Sequence, residues 1–188
     1  MKQYLIPSIK LTVFCLVFFS GIYTLVIFGV AQFAPAKGEG ESIVRNGKIV
    51  GYKLEGQNFT NDNYFISRPS AVAYNAAGSG GSNKGPSNPD YLKDVQSRID
   101  SFMVHNPSAI KDKIPCDLIT ASGSGLDPDI SPSGAYVQVA RIAKYRGLTP
   151  ASVRALVEKQ IKYPLMGLFG PAKVNVLNLN LALDDLKQ

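Results

Sequence analysis

The sequence predicts an α+β protein, with one N-terminal transmembrane helix followed by a single mixed domain. Two observations indicate this class. A long uncharged apolar run lies near the N-terminus, and the polar remainder carries hairpin, helix and strand signals without the regular alternation that produces a parallel sheet. A chain of 188 residues with 45% hydrophobic content provides for one domain and one additional element.

The apolar run covers residues 11–33 and contains no charged side chain. With a rise of about 1.5 Å per residue, a helix of this length is about 34 Å long and crosses a hydrocarbon core of about 30 Å. Its small residues are typical either of close packing against another helix or of ordinary membrane-helix composition. The candidate packing positions are Ser20, Gly21 and Gly29.

A cleaved secretory signal peptide is the alternative interpretation of this segment, because residues 34–36 have the small-x-small form of a cleavage site. A signal core usually contains about 7–15 apolar residues, and this run is much longer. The length therefore favours an uncleaved membrane anchor. Basic residues on both sides of the run, such as Lys10 and Lys37, leave its orientation undecided.

The domain begins with a predicted hairpin over residues 43–50, where Asn46-Gly47 stands between two runs of β-branched residues. A long loop is predicted at residues 71–89, because glycines and prolines there interrupt helices and central strands. Loops of this length are usually functional or disordered, which makes this one a place to look for a partner site.

Three helices are predicted in the rest of the domain. Asn88 suits the N-cap of the first, which ends near residue 106; the second runs from residue 131 to Gly147, and the third starts at Thr149. A strand is predicted at residues 114–121, and the alternation of apolar and polar residues over 174–181 predicts another that runs into a short final helix.

Composition argues against most enzyme classes. One histidine and two distant cysteines leave little for acid-base or metal chemistry, so we assign no catalytic and no metal-binding residues. Asp127 and Asp129 are better explained as turn and capping residues than as a cation site. The net charge of +6 is spread along the chain without a basic block, which argues against nucleic-acid binding.

Several blocks of loop sequence, in the same order along the chain, resemble the KdpC family, the small membrane-anchored subunit of the Kdp potassium-transporting P-type ATPase. The blocks are GQNFT at 56–60, RPSA at 68–71, GSGGSN at 78–83, LITASGSGLD at 118–127, QVARIA at 138–143 and NLNLALD at 178–184. The single N-terminal span agrees with the family, and the resemblance covers essentially the whole chain. Gly123 and Lys84 depart from the family pattern, which concerns the detail of the loops.

The resemblance implies a non-catalytic accessory subunit of a complex that imports potassium with high affinity at the expense of ATP. Its expected partners are a channel-like potassium-binding subunit, a P-type ATPase catalytic subunit, a very small membrane subunit and membrane lipid. ATP, Mg and potassium are used by the complex, and no cofactor is assigned to this chain.

The resemblance also implies a single-pass protein of a bacterial or archaeal cell (inner) membrane. Residues 1–10 are then a short cytoplasmic N-terminus, residues 11–33 the transmembrane helix and residues 34–188 an extracytoplasmic domain. The family is described as a catalytic chaperone that raises the ATP affinity of the hydrolysing subunit. Because ATP is cytoplasmic, we favour an indirect mechanism, in which the anchor docks on transmembrane helices and the domain covers the potassium entrance.

Loop residues are the expected partner-binding candidates, because arginine, aromatic and amide groups supply directional contacts. These candidates are Gln57, Asn58, Phe59, Arg68, Asn75 and Asn83. Organisation of a rigid turn is the alternative explanation for each of them. By resemblance alone, the nucleotide-binding candidates are Gln57, Ser122 and Ser124.

Two alternative functions remain at this stage. One is a membrane-anchored extracytoplasmic enzyme with a site around Arg68, Asp127 and Asp129, and the other is an anchored binding module unrelated to transport. The enzyme predicts activity from the isolated domain, whereas an accessory subunit predicts none without its partners.

Overall fold

The computed structural model describes residues 2–38 and 40–186. The chain falls into two units, Met1–Glu41 and Ser42–Gln188. The first unit is essentially one helix, and the second is a mixed domain of helices and short strands. This confirms the predicted α+β class with one N-terminal apolar helix.

The N-terminal helix is continuous and consists of three parts. Helix α1 spans Lys2–Leu16, a π-helical segment spans Val17–Tyr23, and helix α2 spans Thr24–Ala31. The stretch Gln3–Ala31 is long and apolar enough to cross a membrane. The helix therefore begins before the apolar run at residue 11, and it ends in a turn at residues 32–33.

The wider π-helical turns contain two of the three candidate packing residues, Ser20 and Gly21, while Gly29 lies in α2. The Thr24 hydroxyl donates a hydrogen bond to the Phe19 carbonyl oxygen at 3.1 Å. A Cβ atom added at Gly21 or Gly29 would meet no other atom of the chain. Both glycines thus leave room for a neighbouring helix.

The predicted hairpin is confirmed. Strand β1 (Ser42–Arg45) pairs antiparallel with β2 (Lys48–Tyr52). Asn46 and Gly47 have φ values of 51° and 74°, as a two-residue type I′ turn requires. Residues 53–88, which we call the long loop, then contain turns but no helix or strand.

The helix starts were largely predictable from capping residues. Helix α3 is Pro89–His105, and the Asn88 side chain accepts hydrogen bonds from the Asp90 and Tyr91 amides at 3.0 Å. The predicted second helix is divided into α4 (Pro132–Tyr136) and α5 (Val139–Arg146), because residues 137–138 form a turn between them. Helix α6 is Pro150–Gln160 and helix α7 is Val176–Asp184.

The predicted strand at residues 114–121 is wrong. One 3-10 turn, Lys111–Lys113, comes before this segment, and a second, Cys116–Leu118, lies within it. Pro115 lacks the amide donor that a strand ladder needs, and the Asp117 carboxylate accepts a hydrogen bond from the Ser131 amide at 2.7 Å. The apolar residues of the segment reach the core from a turn, with Leu118 buried.

A small antiparallel sheet completes the domain. Its strands are β3 (Asp129–Ile130), β4 (Ile161–Lys162) and β5 (Lys173–Asn175), with β5 in the centre. A strand at Val174 followed by a final helix is present, but the strand ends at Asn175, and residues 176–181, for which the alternation predicted strand, belong to α7. The core lies between this sheet and α4–α7, and it includes Ile142, Val153, Val157, Val174, Leu179 and Leu183.

Gly147→Ala is expected to lower the free energy of unfolding of the domain by about 1 kcal/mol, because Gly147 ends α5 in the left-handed region with φ 65°. Urea unfolding of the full chain in detergent measures the change. Gly85→Ala is the matched control, since its Cβ would meet no atom and its φ is not left-handed. Equal losses in the two variants would contradict this explanation.

Candidate functional site

The long loop is held against the helices by buried polar side chains. The Asn180 Oδ1 accepts a hydrogen bond from the Phe65 amide at 2.8 Å, and its Nδ2 donates to the Phe65 carbonyl at 3.0 Å. The side chain thus satisfies both backbone groups of Phe65, as a neighbouring strand would do. The Phe65 ring is fully buried in the core.

Two more buried polar side chains hold the long loop. Gln138 is the residue before α5, and Arg141 lies within α5. The Gln138 Oε1 accepts hydrogen bonds from the Ile66 amide and from Arg141 Nη2, both at 2.8 Å. Arg141 Nη1 donates to the carbonyl oxygens of Asp62 and Tyr64, and its Nε donates to Asn106 Oδ1 at 2.9 Å. We call Asn106, Gln138, Arg141 and Asn180 the polar clamp.

Burial lowers the pKa of Arg141, and the nearby Asp62 carboxylate works against this effect. The two charged groups are 3.9 Å apart. The guanidinium is kept charged inside the domain by the carbonyl oxygens that surround it. A buried charge held in this way fixes the path of residues 62–66.

Arg68 lies where the long loop meets residues 119–128, which we call the serine loop. Its Nη1 is 2.9 Å from Asp127 Oδ2, and its carbonyl oxygen accepts a hydrogen bond from the Tyr74 hydroxyl at 2.7 Å. Its Nε atom is buried and has no hydrogen-bond partner. Burial also raises the pKa of Tyr74. Arg68 therefore contacts both loops, which agrees with the rigid-turn explanation, and its role as a partner contact stays a prediction.

The two loops are joined through backbone groups of the serine loop. The Ser122 amide donates to the Pro69 carbonyl at 3.2 Å, and the Ser124 carbonyl accepts from the Gly80 amide at 2.8 Å. Gly125 has φ 69°, and a Cβ atom there would lie 2.5 Å from the Val72 side chain. Only glycine fits at this close approach.

Arg68, Ser122 and Ser124 line one cleft of about 510 Å³. Asp129 and Lys173 stand at its side, with Lys173 Nζ 2.5 Å from Asp129 Oδ2. This hydrogen bond raises the pKa of Lys173. Because Asp127 pairs with Arg68 and Asp129 with Lys173, each carboxylate already has a cationic partner.

The turn explanation for Asp127 and Asp129 agrees with the geometry, since Asp127 Oδ1 accepts a hydrogen bond from the Asp129 amide at 3.0 Å. Among residues 2–38 and 40–186, no three His, Cys, Asp or Glu side chains come together as a metal site would require.

Asn58 and Phe59 line a second cleft, of about 490 Å³, against α3. His105 Nδ1 is 2.8 Å from Asp62 Oδ1 at its edge, and Arg98 donates to the Ile119 carbonyl at 3.1 Å. Phe59 also contacts the Tyr64 ring, with centroids 6.0 Å apart. The Phe59 side chain is therefore half-buried and packs against Tyr64, while Asn58 is exposed.

The remaining candidates lie apart from these clefts. The Gln57 side chain packs over Gly51 of the hairpin and donates to the Tyr52 carbonyl at 3.4 Å. Asn75 and Asn83 are exposed on the long loop, and Asn75 Oδ1 caps a local turn at the Ala77 amide. The structure thus groups Arg68 with Ser122 and Ser124 along one cleft, whereas the Gln57 side chain is directed to the hairpin.

Sequence reasoning missed the polar clamp. The one available signal is the presence of Gln138 and Arg141 on the otherwise apolar side of α5, three residues apart and hence on one helix face. Their partners are backbone groups of a distant loop, which no local pattern specifies.

The family model for "KdpC: K+-transporting ATPase, c chain" matches residues 5–185 of this chain. Curated relatives agree over nearly their whole length. A "Potassium-transporting ATPase KdpC subunit" from Flavobacterium psychrophilum is 58% identical over 179 residues, which are 95% of this chain and 96% of the relative.

Other bacteria carry similar chains. The protein of the same description from Flavobacterium johnsoniae is 57% identical, covering 97% of this chain and 98% of its own. That from Caldanaerobacter subterraneus subsp. tengcongensis is 45% identical, covering 94% of this chain and 92% of its own.

Proposed function

Because the chain belongs to the KdpC family of K+-transporting ATPase c chains, we propose that it stabilises the transport complex and raises the ATP affinity of the hydrolysing subunit without binding ATP itself. It is a membrane-associated subunit of the Kdp ATPase and not the catalytic subunit. The partners in this proposal are the channel-like potassium-binding subunit, the catalytic P-type subunit and the very small membrane subunit.

The observation that carries the proposal is the internal use of the loop residues. The backbone groups of Ser122 and Ser124 hold the long loop, and Gln57 is occupied by the hairpin. A nucleotide site at these positions would have to give up those contacts. They support the loops as a structural unit and disfavour direct ATP contact there.

The polar clamp fixes residues 62–66 of the long loop, and a preformed surface loses little entropy when a partner binds. Exposed Asn58, Asn75 and Asn83 are the contact residues in this proposal. In the membrane, Ser20, Gly21 and Gly29 provide the packing surface for partner helices.

The mechanism is a shift in population. If the subunit binds more tightly to the state of the complex that has high ATP affinity, that state becomes more populated and the apparent affinity rises. We place the N-terminus in the cytoplasm and the domain outside it, over the potassium entrance. In this arrangement ATP and the domain remain on opposite sides of the membrane.

Asn58→Arg and Asn75→Arg test the docking role. Each is expected to weaken co-purification of the partner subunits by about tenfold, because a bulky cation replaces a contact residue. The readouts are the yield of partner subunits with a C-terminal tag on this chain, and potassium-stimulated ATPase activity.

Ser108→Arg is the matched control, since Ser108 is exposed and lines neither cleft. All three variants should keep the unfolding midpoint of the parent chain. Unchanged co-purification of the Asn58 and Asn75 variants would exclude these residues from the interface.

A further inference from the structure

The connection between β4 and β5 is an exposed apolar tip, residues 163–170. Tyr163, Leu165, Met166, Leu168 and Phe169 are between 66% and 84% exposed. Soluble surfaces rarely display a contiguous apolar patch of this kind without a function. The tip contains no charged side chain and lies between Lys162 and Lys173.

Four backbone amides of the tip donate hydrogen bonds to carbonyl oxygens within the tip. The Leu165 amide donates to the Phe169 carbonyl at 3.3 Å and the Phe169 amide to the Leu165 carbonyl at 3.1 Å. The Gly167 and Leu168 amides donate to the carbonyls of Pro164 and Leu165. A segment that enters hydrocarbon needs such internal pairing, because lipid offers no hydrogen-bond partners.

The charges around the tip complement an anionic surface. Lys159 and Lys162 lie on the elements before the tip, beside the acidic Glu158, whereas Lys173 after the tip is paired with Asp129. Lys159 and Lys162 are exposed, so their ammonium groups are available to phosphates. The like charges also disfavour the pairing of this tip with the same tip of a second copy.

The apolar N-terminal helix of the same chain would keep the domain near a bilayer. The connection from Ala31, where the apolar helix ends, to Ser42, where the domain begins, extends at most about 40 Å. We propose that residues 163–170 insert into the interfacial region of an anionic phospholipid bilayer, with Lys159 and Lys162 on the headgroups. This inference depends on membrane anchoring and not on the partners proposed above.

Tryptophan fluorescence tests the insertion, because the chain contains no tryptophan. The full chain carrying Leu168→Trp, at an 81% exposed position, is placed in nanodiscs of phosphatidylglycerol and phosphatidylcholine. Its emission is expected to shift to the blue. Lipids brominated near the headgroup end of the acyl chain should quench it more than lipids brominated near the methyl end. Phe169→Trp is the second tip variant, should Leu168→Trp fold poorly.

Val104→Trp, on α3 and 77% exposed, is the control and should remain unquenched. Lys162→Glu added to the tip variant should reduce quenching in anionic nanodiscs. Absence of quenching at both tip positions, or equal quenching at the control, would overturn the proposal. A blue shift that appears only with the partner subunits would show that the tip binds a protein. A blue shift that appears only at high chain density would show that the tip binds a second copy of the chain. Either result would overturn the proposal.

Discussion

Arg141→Met is expected to lower the free energy of unfolding of the domain by about 3–5 kcal/mol. Methionine keeps much of the side-chain volume but donates no hydrogen bond. The carbonyls of Asp62 and Tyr64 and the side-chain oxygen of Asn106 then lose their buried donors. Urea unfolding of the full chain in detergent, followed by near-ultraviolet circular dichroism, measures the loss.

Arg154→Met is the matched control for this substitution. Arg154 is exposed and lies 4.7 Å above the Tyr136 ring, a contact that contributes about 0.5–1 kcal/mol. The two variants remove the same charge from different environments. Equal destabilisation would mean that Arg141 is not the organising member of the polar clamp.

Phe65→Ala is expected to cost about 3–5 kcal/mol, because it leaves a cavity where a fully buried ring attaches the long loop to the core. The loss should be accompanied by faster hydrogen exchange across residues 53–88, since the attachment is weakened. Hydrogen exchange with mass spectrometry resolves this region from the helices.

Phe169→Ala removes the same ring from an exposed position and should leave the free energy of unfolding within about 0.5 kcal/mol of the parent chain. If Phe65→Ala were equally mild, the long loop would be fixed by the polar clamp alone and not by its apolar anchor.

Local signals explain which parts of the fold were predictable. Asn88, Thr149 and Gly147 act through neighbouring backbone groups, so their roles follow from a few residues of sequence. The strand predicted at residues 114–121 is wrong because a turn after Pro115 brings the apolar residues of this segment to the core. The alternation of residue types does not reveal this turn. Similarly, nothing local indicates that the N-terminal helix begins before the apolar run.

The candidate site was predictable only in part. The sequence predicts Arg68 as a contact residue, but its pairing with Asp127 depends on a partner 59 positions away. The polar clamp relies on pairs still more distant in sequence, such as Phe65 with Asn180. Family resemblance directs attention to these loops, but it does not distinguish contact residues from those that hold the loops together.

The most direct test of the account is the ATP affinity of the complex purified with and without this chain. We expect the apparent KM for ATP in potassium-stimulated hydrolysis to rise when the chain is absent and to recover when it is added back. A photoreactive ATP analogue should label the hydrolysing subunit alone. An unchanged KM, or labelling of this chain at Gln57, Ser122 or Ser124, would contradict the indirect mechanism.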